Sequence, residues 1–286
     1  MKVAITGAKG QLGNDLLKTK PAGVETAELG REDLDIRRKE DVRAFVAGSR
    51  PDALVNAAAY VRVDDAEDES REAFDINATG VKNLVEACRE AGIPLVHIST
   101  DYVFDGRQAG KPYTEDDWPN PINAYGVSKY AGELFVRNYH EMHYIVRTCS
   151  LYGSSGARGK GGNFPLAIID RARKGQQLRV IDDIVMSPSY SFDVASQIWK
   201  LALGGYPYGT YHVANSGACS WHVFACKILE LSGIAAEVVA VAHTEYATKA
   251  RRPLWSPLAS SRGIALRRWE AGLQAFLEEV RTGRPG

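Results

Sequence analysis

Tyr125 and Lys129 stand four residues apart in Tyr125-Gly-Val-Ser-Lys129. On a helix, positions i and i+4 share one face, so both side chains can meet one ligand. A cation beside a phenol favours phenolate and lowers the phenol pKa toward working pH. Such a tyrosine is a usable proton donor to a carbonyl oxygen. Ser99-Thr100-Asp101 lies just upstream. In a chain with 13 Tyr the spacing alone says little, so its meaning depends on what accompanies it.

The N-terminus supplies that company. Val3 to Thr6 is a short apolar run with a β-branched bias. Gly7-Ala8-Lys9-Gly10-Gln11-Leu12-Gly13 follows at once, and Asn14-Asp15-Leu16-Leu17 then reads as helix. Strand, glycine turn and helix form the context of a dinucleotide motif. Gly7 allows the tight turn, Gly10 lets the backbone approach a pyrophosphate, and Gly13 lets the helix sit close on the strand. The anion then faces unpaired helix N–H groups. The bland alternative is a glycine-rich turn with no ligand.

The elements that must position these groups alternate along the chain. Strands are expected at 24–29, 53–56, 95–99 and 144–148, and helices at 73–90 and 125–139, the second capped by Asn123. Gly92 suits the position after the first of these helices, and Pro94 follows it. This rhythm implies an α/β fold with a doubly wound parallel sheet and right-handed crossovers. Ligands in such sheets bind beyond the C-terminal strand ends, where Thr6, Asn56 and Thr100 fall. Residues 1–152 are expected to form the dinucleotide-binding domain, with 176–205 returning to it. Residues 153–175 and 206–286 are expected to form a smaller C-terminal substrate-binding lobe. The glycine-rich stretch 153–162 reads as a surface loop near the site, with Lys160 an exposed lysine.

Composition agrees. A chain of 286 residues with 45% hydrophobic content supports one large α/β domain or one with a small lobe. Lys plus Arg and Asp plus Glu are both 35, so there is no basic excess to suggest nucleic acid. No apolar run approaches membrane-spanning length, and no leader is visible, so a cytoplasmic location is expected. Cys88, Cys149, Cys219 and Cys226 form no C-x-x-C pair and read as reduced thiols. His212, His222 and His243 lack ligand spacing, so no protein metal site is read.

Together these residues carry a resemblance. Gly7–Gly13, Glu32-Asp33-Leu34-Asp35-Ile36, Val55-Asn56-Ala57-Ala58-Ala59-Tyr60 and Phe74–Ala87 belong to it. So do Ser99-Thr100-Asp101-Tyr102-Val103-Phe104-Asp105-Gly106, Pro121–Lys129, Arg147-Thr148, and Arg252-Pro253 with Ser256. The chain resembles the dTDP-4-dehydrorhamnose reductase family of extended short-chain dehydrogenase/reductases, over most of its length. The resemblance implies a Rossmann-type fold and reduction of the C4 ketone of a nucleotide-linked deoxysugar by NADPH or NADH.

It also implies roles. Tyr125 would donate the proton, Lys129 would lower the Tyr125 pKa and hold the nicotinamide ribose, and Thr100 would orient the carbonyl. Gly7, Gly10, Gln11, Leu12 and Gly13 would cradle the pyrophosphate. Ala57, Ala58, Ala59 and Tyr60 would pass over the cofactor, Asp35 and Ile36 would lie near the adenine, and Asn77 would sit beside the catalytic group. For Asn77 a purely structural role is an equal reading. Asp101, Tyr102 and Ser150 would contact the sugar, and Arg252 a diphosphate.

Cofactor preference turns on the end of the second strand, Ala27-Glu28-Leu29-Gly30-Arg31. Arg31 could pair a 2′-phosphate, whereas Glu28 could accept ribose hydroxyls. The expectation is NADPH, with NADH tolerated. The chain departs from the family pattern at Ser150, where a Trp is usual, and at Ile184 and Met186, where Gln and Gly are usual. A reductase of another nucleotide-4-ketosugar therefore stays open, as does a non-catalytic dinucleotide-binding regulatory subunit. Related enzymes dimerise, some with Mg²⁺ at the interface, so a homodimer and Mg²⁺ also stay open.

Overall fold

The computed structural model describes residues 1–155 and 162–283. In its first part β1 (Lys2–Thr6), α1 (Gln11–Lys18), β2 (Glu25–Leu29), α2 (Lys39–Ser49) and β3 (Ala53–Asn56) alternate. Then come α3 (Asp65–Asp68), α4 (Ser70–Phe74), a π-helical turn at Asp75–Gly80, and α5 (Val81–Ala91). β4 (Leu95–Thr100), α6 (Ala124–Tyr139), β5 (His143–Thr148) and β6 (Leu151–Tyr152) follow. Beyond them lie α7 (Phe164–Arg173), β7 (Leu178–Ile181), β8 (Val185–Met186), β9 (Ser189–Tyr190), α8 (Ser191–Ala202) and β10 (Gly209–His212). β11 (Cys219–Ser220), α9 (Trp221–Ser232), β12 (Val238–Val241) and α10 (Trp269–Thr282) complete the chain.

The main sheet has the order β10-β5-β4-β3-β1-β2, all parallel. Val3, Ala4 and Ile5 are fully buried, as are Leu54, Val55, Leu95 and Val96. Continuous apolar runs suit strands covered on both faces. α1 packs with α8 on one face, while α2, α5 and α6 pack on the other. The chain leaves β1 toward β2 on one side and toward β3 on the other, so the direction of winding reverses between β1 and β3. That reversal opens a crevice beyond their C-terminal ends. Register sets Thr6 beside Asn56 and Thr100 beside Thr148 along that rim.

A second core lies under the parallel pair β7–β12, the small pair β8–β11, and α7, α9 and α10. Its boundaries differ from the expected partition. Residues 209–212 pair with β5 as the sixth strand of the main sheet, and residues 178–181 pair with β12 in the second layer. The return to the first layer is carried by α8 and β10. Gly-Thr-Tyr-His has no strong period-2 signal, and the open edge of β5 determines where it pairs.

The helical stretch expected over 73–90 is continuous, but it carries a π-helical turn at Asp75–Gly80. Apolar periodicity does not reveal the extra residue in such a turn. It places Asn77 under the site, and α6 packs directly on it. Among the described residues no helix is long and apolar enough to cross a membrane.

Candidate active site

A cleft of about 800 Å³ runs over the C-terminal strand ends. Its first wall is the glycine turn. Gly7 has φ +71°, and a Cβ there would sit 2.6 Å from the Ala57 and Ala58 backbone. A Cβ on Gly13 would come 2.3 Å from the Gly7 carbonyl. Both contacts are closer than real Cβ atoms approach, so glycine lets the turn meet the Ala57–Ala58 backbone and lets α1 fold close onto the Gly7–Ala8 turn. No side chain caps α1, so its first N–H groups open toward the cleft. Gly7, Gly10, Gln11, Leu12 and Gly13 all line it, as do Ala57, Ala58 and Ala59. This arrangement fits the pyrophosphate of a dinucleotide.

At the far end of that wall Gly30, Arg31, Asp35 and Ile36 line the cleft. Arg31 is 67% exposed and lies 3.8 Å from Glu72, which leaves it free to turn toward a phosphate. Glu28 does not reach the lining. Asp35 is held by Arg37, Nε to Oδ1 at 2.9 Å, and this partner keeps its carboxyl below the usual range. Lys9 and Arg37 also line this end, a second and third cation that reading the sequence did not single out.

Thr100, Tyr125 and Lys129 converge where β4 ends against α6. Asn123 starts that helix by accepting the Gly126 N–H at 2.7 Å. Lys129 is buried and donates to the Ile98 carbonyl at 2.6 Å. Burial brings its ammonium down to about 8, partly offset by Glu133. Burial pushes the Tyr125 phenol up to about 12, a hydrogen bond with Thr100 lowers it, and the Asp101 charge raises it. The expected lowering of Tyr125 by Lys129 is therefore corrected. Desolvation is the largest cause acting on the phenol, Lys129 is not among the causes, and its ammonium is turned to a backbone carbonyl. Tyr125 is a neutral phenol at neutral pH, the form that can give a proton.

Two carboxylates mark the surroundings. Asp101 is buried at 3% exposure and accepts from Thr100 Oγ1 and Cys149 Sγ, each at 3.1 Å. Burial raises its pKa, and bonds from Ser256, Cys149 and Thr100 pull it back. Below the site Glu133 accepts two bonds from Arg147, at 2.9 and 2.7 Å, and one from Ser99 at 2.6 Å. This buried pair ties α6 to β4 and β5.

Asp101, Tyr102 and Ser150 line the cleft. Ser150 adopts φ +44°, a left-handed conformation that non-glycine residues rarely take. Trp221 and Phe164, packed edge-on with ring centroids 4.7 Å apart, form the wall beyond it. Three expected residues stand back from the cleft. Tyr60 is buried, with its N–H on Asn77 Oδ1 at 2.9 Å and its hydroxyl on Glu69 at 2.6 Å. Asn77 also donates to the Tyr60 carbonyl and to Ser128 Oγ, so it pins the cofactor-side loop to α6. Arg252 faces a separate hollow of about 460 Å³ and is paired with Asp64. Lys160 lies outside the described residues. Among the described residues no group of three or more His, Cys, Asp or Glu side chains could hold a metal ion.

Residues 1–282 match the family model described as RmlD substrate binding domain. The chain is 38% identical to the spore coat polysaccharide biosynthesis protein SpsK of Bacillus subtilis, over 97% of each chain. It is 37% identical to the dTDP-4-dehydrorhamnose reductase of Streptomyces griseus, over 98% of this chain and 95% of that one. It is similar to the crystal structure of dTDP-4-dehydrorhamnose reductase from Bacillus anthracis in complex with NADP. That match has a TM-score of 0.90 and 38% identity, covering 97% of this chain and 99% of the other.

Proposed function

The chain belongs to the RmlD substrate binding domain family, and on that premise we propose that it reduces dTDP-4-dehydro-L-rhamnose to dTDP-L-rhamnose. It is a nicotinamide-dependent oxidoreductase. One observation carries the reading: Thr100, Tyr125 and Lys129 meet in the same cleft as the uncapped glycine turn.

In this reading the glycine turn and the α1 N-terminus hold the pyrophosphate, and Asp35, Ile36 and Arg37 border the adenine. A bound nicotinamide supplies the hydride. Thr100 orients the sugar carbonyl by a hydrogen bond to its oxygen. Tyr125, neutral and half-buried, gives its proton to that oxygen as negative charge develops on it. Lys129 sits one helical turn away, and its positive charge stabilises the phenolate that remains. Asp101, Tyr102 and Ser150 meet the sugar. NADPH is preferred through Arg31, and NADH is tolerated. Loss of NADPH absorbance with dTDP-4-dehydro-L-rhamnose tests the reading. Tyr125→Phe is expected to lower kcat by about 10²–10⁴-fold while binding NADPH as before. Unchanged turnover in that variant would remove Tyr125 as the donor.

Ser150 favours a second reading, a 4-ketoreductase of another nucleotide sugar. Its small side chain leaves room beside the Phe164–Trp221 wall. Slow turnover of the rhamnose precursor beside fast turnover of a bulkier nucleotide-4-ketosugar would select it.

A further inference from the structure

Between Val63 and Glu69 the chain carries Asp64, Asp65, Glu67 and Asp68 around the short helix α3. This acidic turn is no loose surface loop. Ala66 is fully buried, in a small cluster with Tyr60 and Ala73 against which Ala124 and Tyr125 pack. From that anchor it reaches in two directions. Toward the catalytic helix, Glu67 Oε1 accepts the Ala124 N–H at 2.9 Å. That N–H belongs to the first residue of α6, one before Tyr125, and has no partner within the helix. Toward the second layer, Asp64 accepts Arg252 Nη2 at 2.6 Å on Oδ2, and Arg252 Nη1 at 3.0 Å on Oδ1. Asp64 Oδ1 also takes the Ala250 N–H at 3.1 Å. Asp68 pairs with Lys249. The cap of α6 closes the ring, since Asn123 donates to the Arg251 carbonyl at 2.7 Å.

Arg252 leads back to the chemistry. Its charge acts on the Tyr102 hydroxyl, and the Tyr102 ring stands edge-on to Tyr125 with centroids 5.9 Å apart. Gly106 shows how close the segment runs. A Cβ there would lie 2.7 Å from the Leu254 nitrogen. Asp64 holds Arg252 by two bonds, the Arg252 charge acts on Tyr102, and Tyr102 packs on Tyr125, which links the acidic turn to the proton donor.

We propose that Asp64 and Glu67 are positioning residues for the reductase reaction. Asp64 sets Arg252 against Tyr102 on the substrate side, and Glu67 sets the start of the catalytic helix. The inference rests on the reductase reading. A bidentate carboxylate fixes both the place and the plane of a guanidinium. Without it only the Ala250 carbonyl, 3.2 Å from Nη1, still holds Arg252, and the charge behind Tyr102 loses its fixed place. A carboxylate on the first N–H of α6 also complements the positive end of the helix dipole.

The test is steady-state kinetics of the full chain with NADPH and dTDP-4-dehydro-L-rhamnose, with NADPH Kd and Tm measured beside it. Asp64→Asn is expected to raise the sugar KM about 10- to 100-fold and leave the NADPH Kd unchanged. Asp64→Asn with Arg252→Ala together are expected to cost no more than Arg252→Ala alone, because the two act as one unit. Glu67→Ala is expected to lower kcat about 2- to 5-fold with the sugar KM unchanged. A wild type that turns over, beside Asp64→Asn with the wild-type KM, overturns this inference alone. So do additive effects of the Asp64 and Arg252 changes, and so does a lower Tm with unchanged kinetics. A wild type that does not reduce the sugar overturns the reductase reading, and this inference with it.

Discussion

Tyr125 and Lys129 share a helix face, yet each is tuned mainly by its own burial. Tyr125 is held up at about 12, so it stays a neutral acid across the physiological range. Lys129 is brought from 10.5 down to about 8. The sign of the resulting pH effect follows from proton counts. Between about pH 8 and 10.5 the unfolded chain keeps a proton that native Lys129 has released. Stability therefore rises with pH through that window on account of this group, and below it burial of the ammonium weakens the fold. In Lys129→Met this contribution is absent. Urea unfolding at pH 7.5 and pH 10, values about either side of the window, is expected to show the variant gaining less stability than wild type over that span. Equal gains in both proteins would show that Lys129 does not titrate there. Asp101 has the opposite sign: native Asp101 keeps a proton that the unfolded chain loses above about pH 3.8, so stability on account of this group falls as pH rises there. Its buried carboxyl is raised by desolvation, and Thr100, Cys149 and Ser256 hold its anion in place.

Two elements set the geometry, and each depends on one close contact. The turn meets the Ala57–Ala58 backbone only because Gly7 carries no Cβ, and α1 folds onto the turn only because Gly13 carries none. Gly13→Ala is expected to push α1 off β1 and weaken NADPH binding about 10- to 100-fold, read by fluorescence titration. An unchanged Kd would show that the turn relaxes without moving its N–H groups. α6 is locked to the sheet by the fully buried Glu133–Arg147 pair. Removing one partner leaves a charge buried without compensation. Arg147→Met is therefore expected to cost about 3–5 kcal/mol in urea unfolding. A loss below about 1 kcal/mol would mean that Glu133 finds another partner, with Arg137 at 3.5 Å the nearest candidate.

At the scale of the molecule, the two layers are joined by buried polar contacts as well as by apolar packing. Lys18 on α1 lies 3.2 Å from Asp15 and 2.7 Å from Glu279 on α10, and Tyr190 donates to Glu279 at 2.5 Å. The dinucleotide helix and the C-terminal helix are tied in this way. Cofactor bound to the native state alone stabilises the whole chain by mass action. NADPH at a hundred times its Kd is expected to raise Tm by about 5–10 °C in a thermal melt. In Arg31→Ala the NADPH shift is expected to shrink to that given by NADH. An undiminished NADPH shift would remove Arg31 as the 2′-phosphate partner.

What was legible in the sequence is what is local. The glycine turn, the Tyr125–Lys129 face, the Asn123 cap and the order of strands and helices each depend on neighbours within about one turn of chain, where covalent spacing dictates geometry. Part of the cleft followed as well, since residues at the C-terminal ends of parallel strands must meet there, but Lys9, Arg37 and Phe164 on its wall did not. Only the tertiary structure decided that Lys129 turns to Ile98 and that residues 209–212 complete the main sheet. It alone brought Arg252 onto Asp64, 188 residues away along the chain. Burial, edge pairing and long-range ion pairs depend on which surfaces meet when the two layers pack, and no periodicity within a segment encodes that.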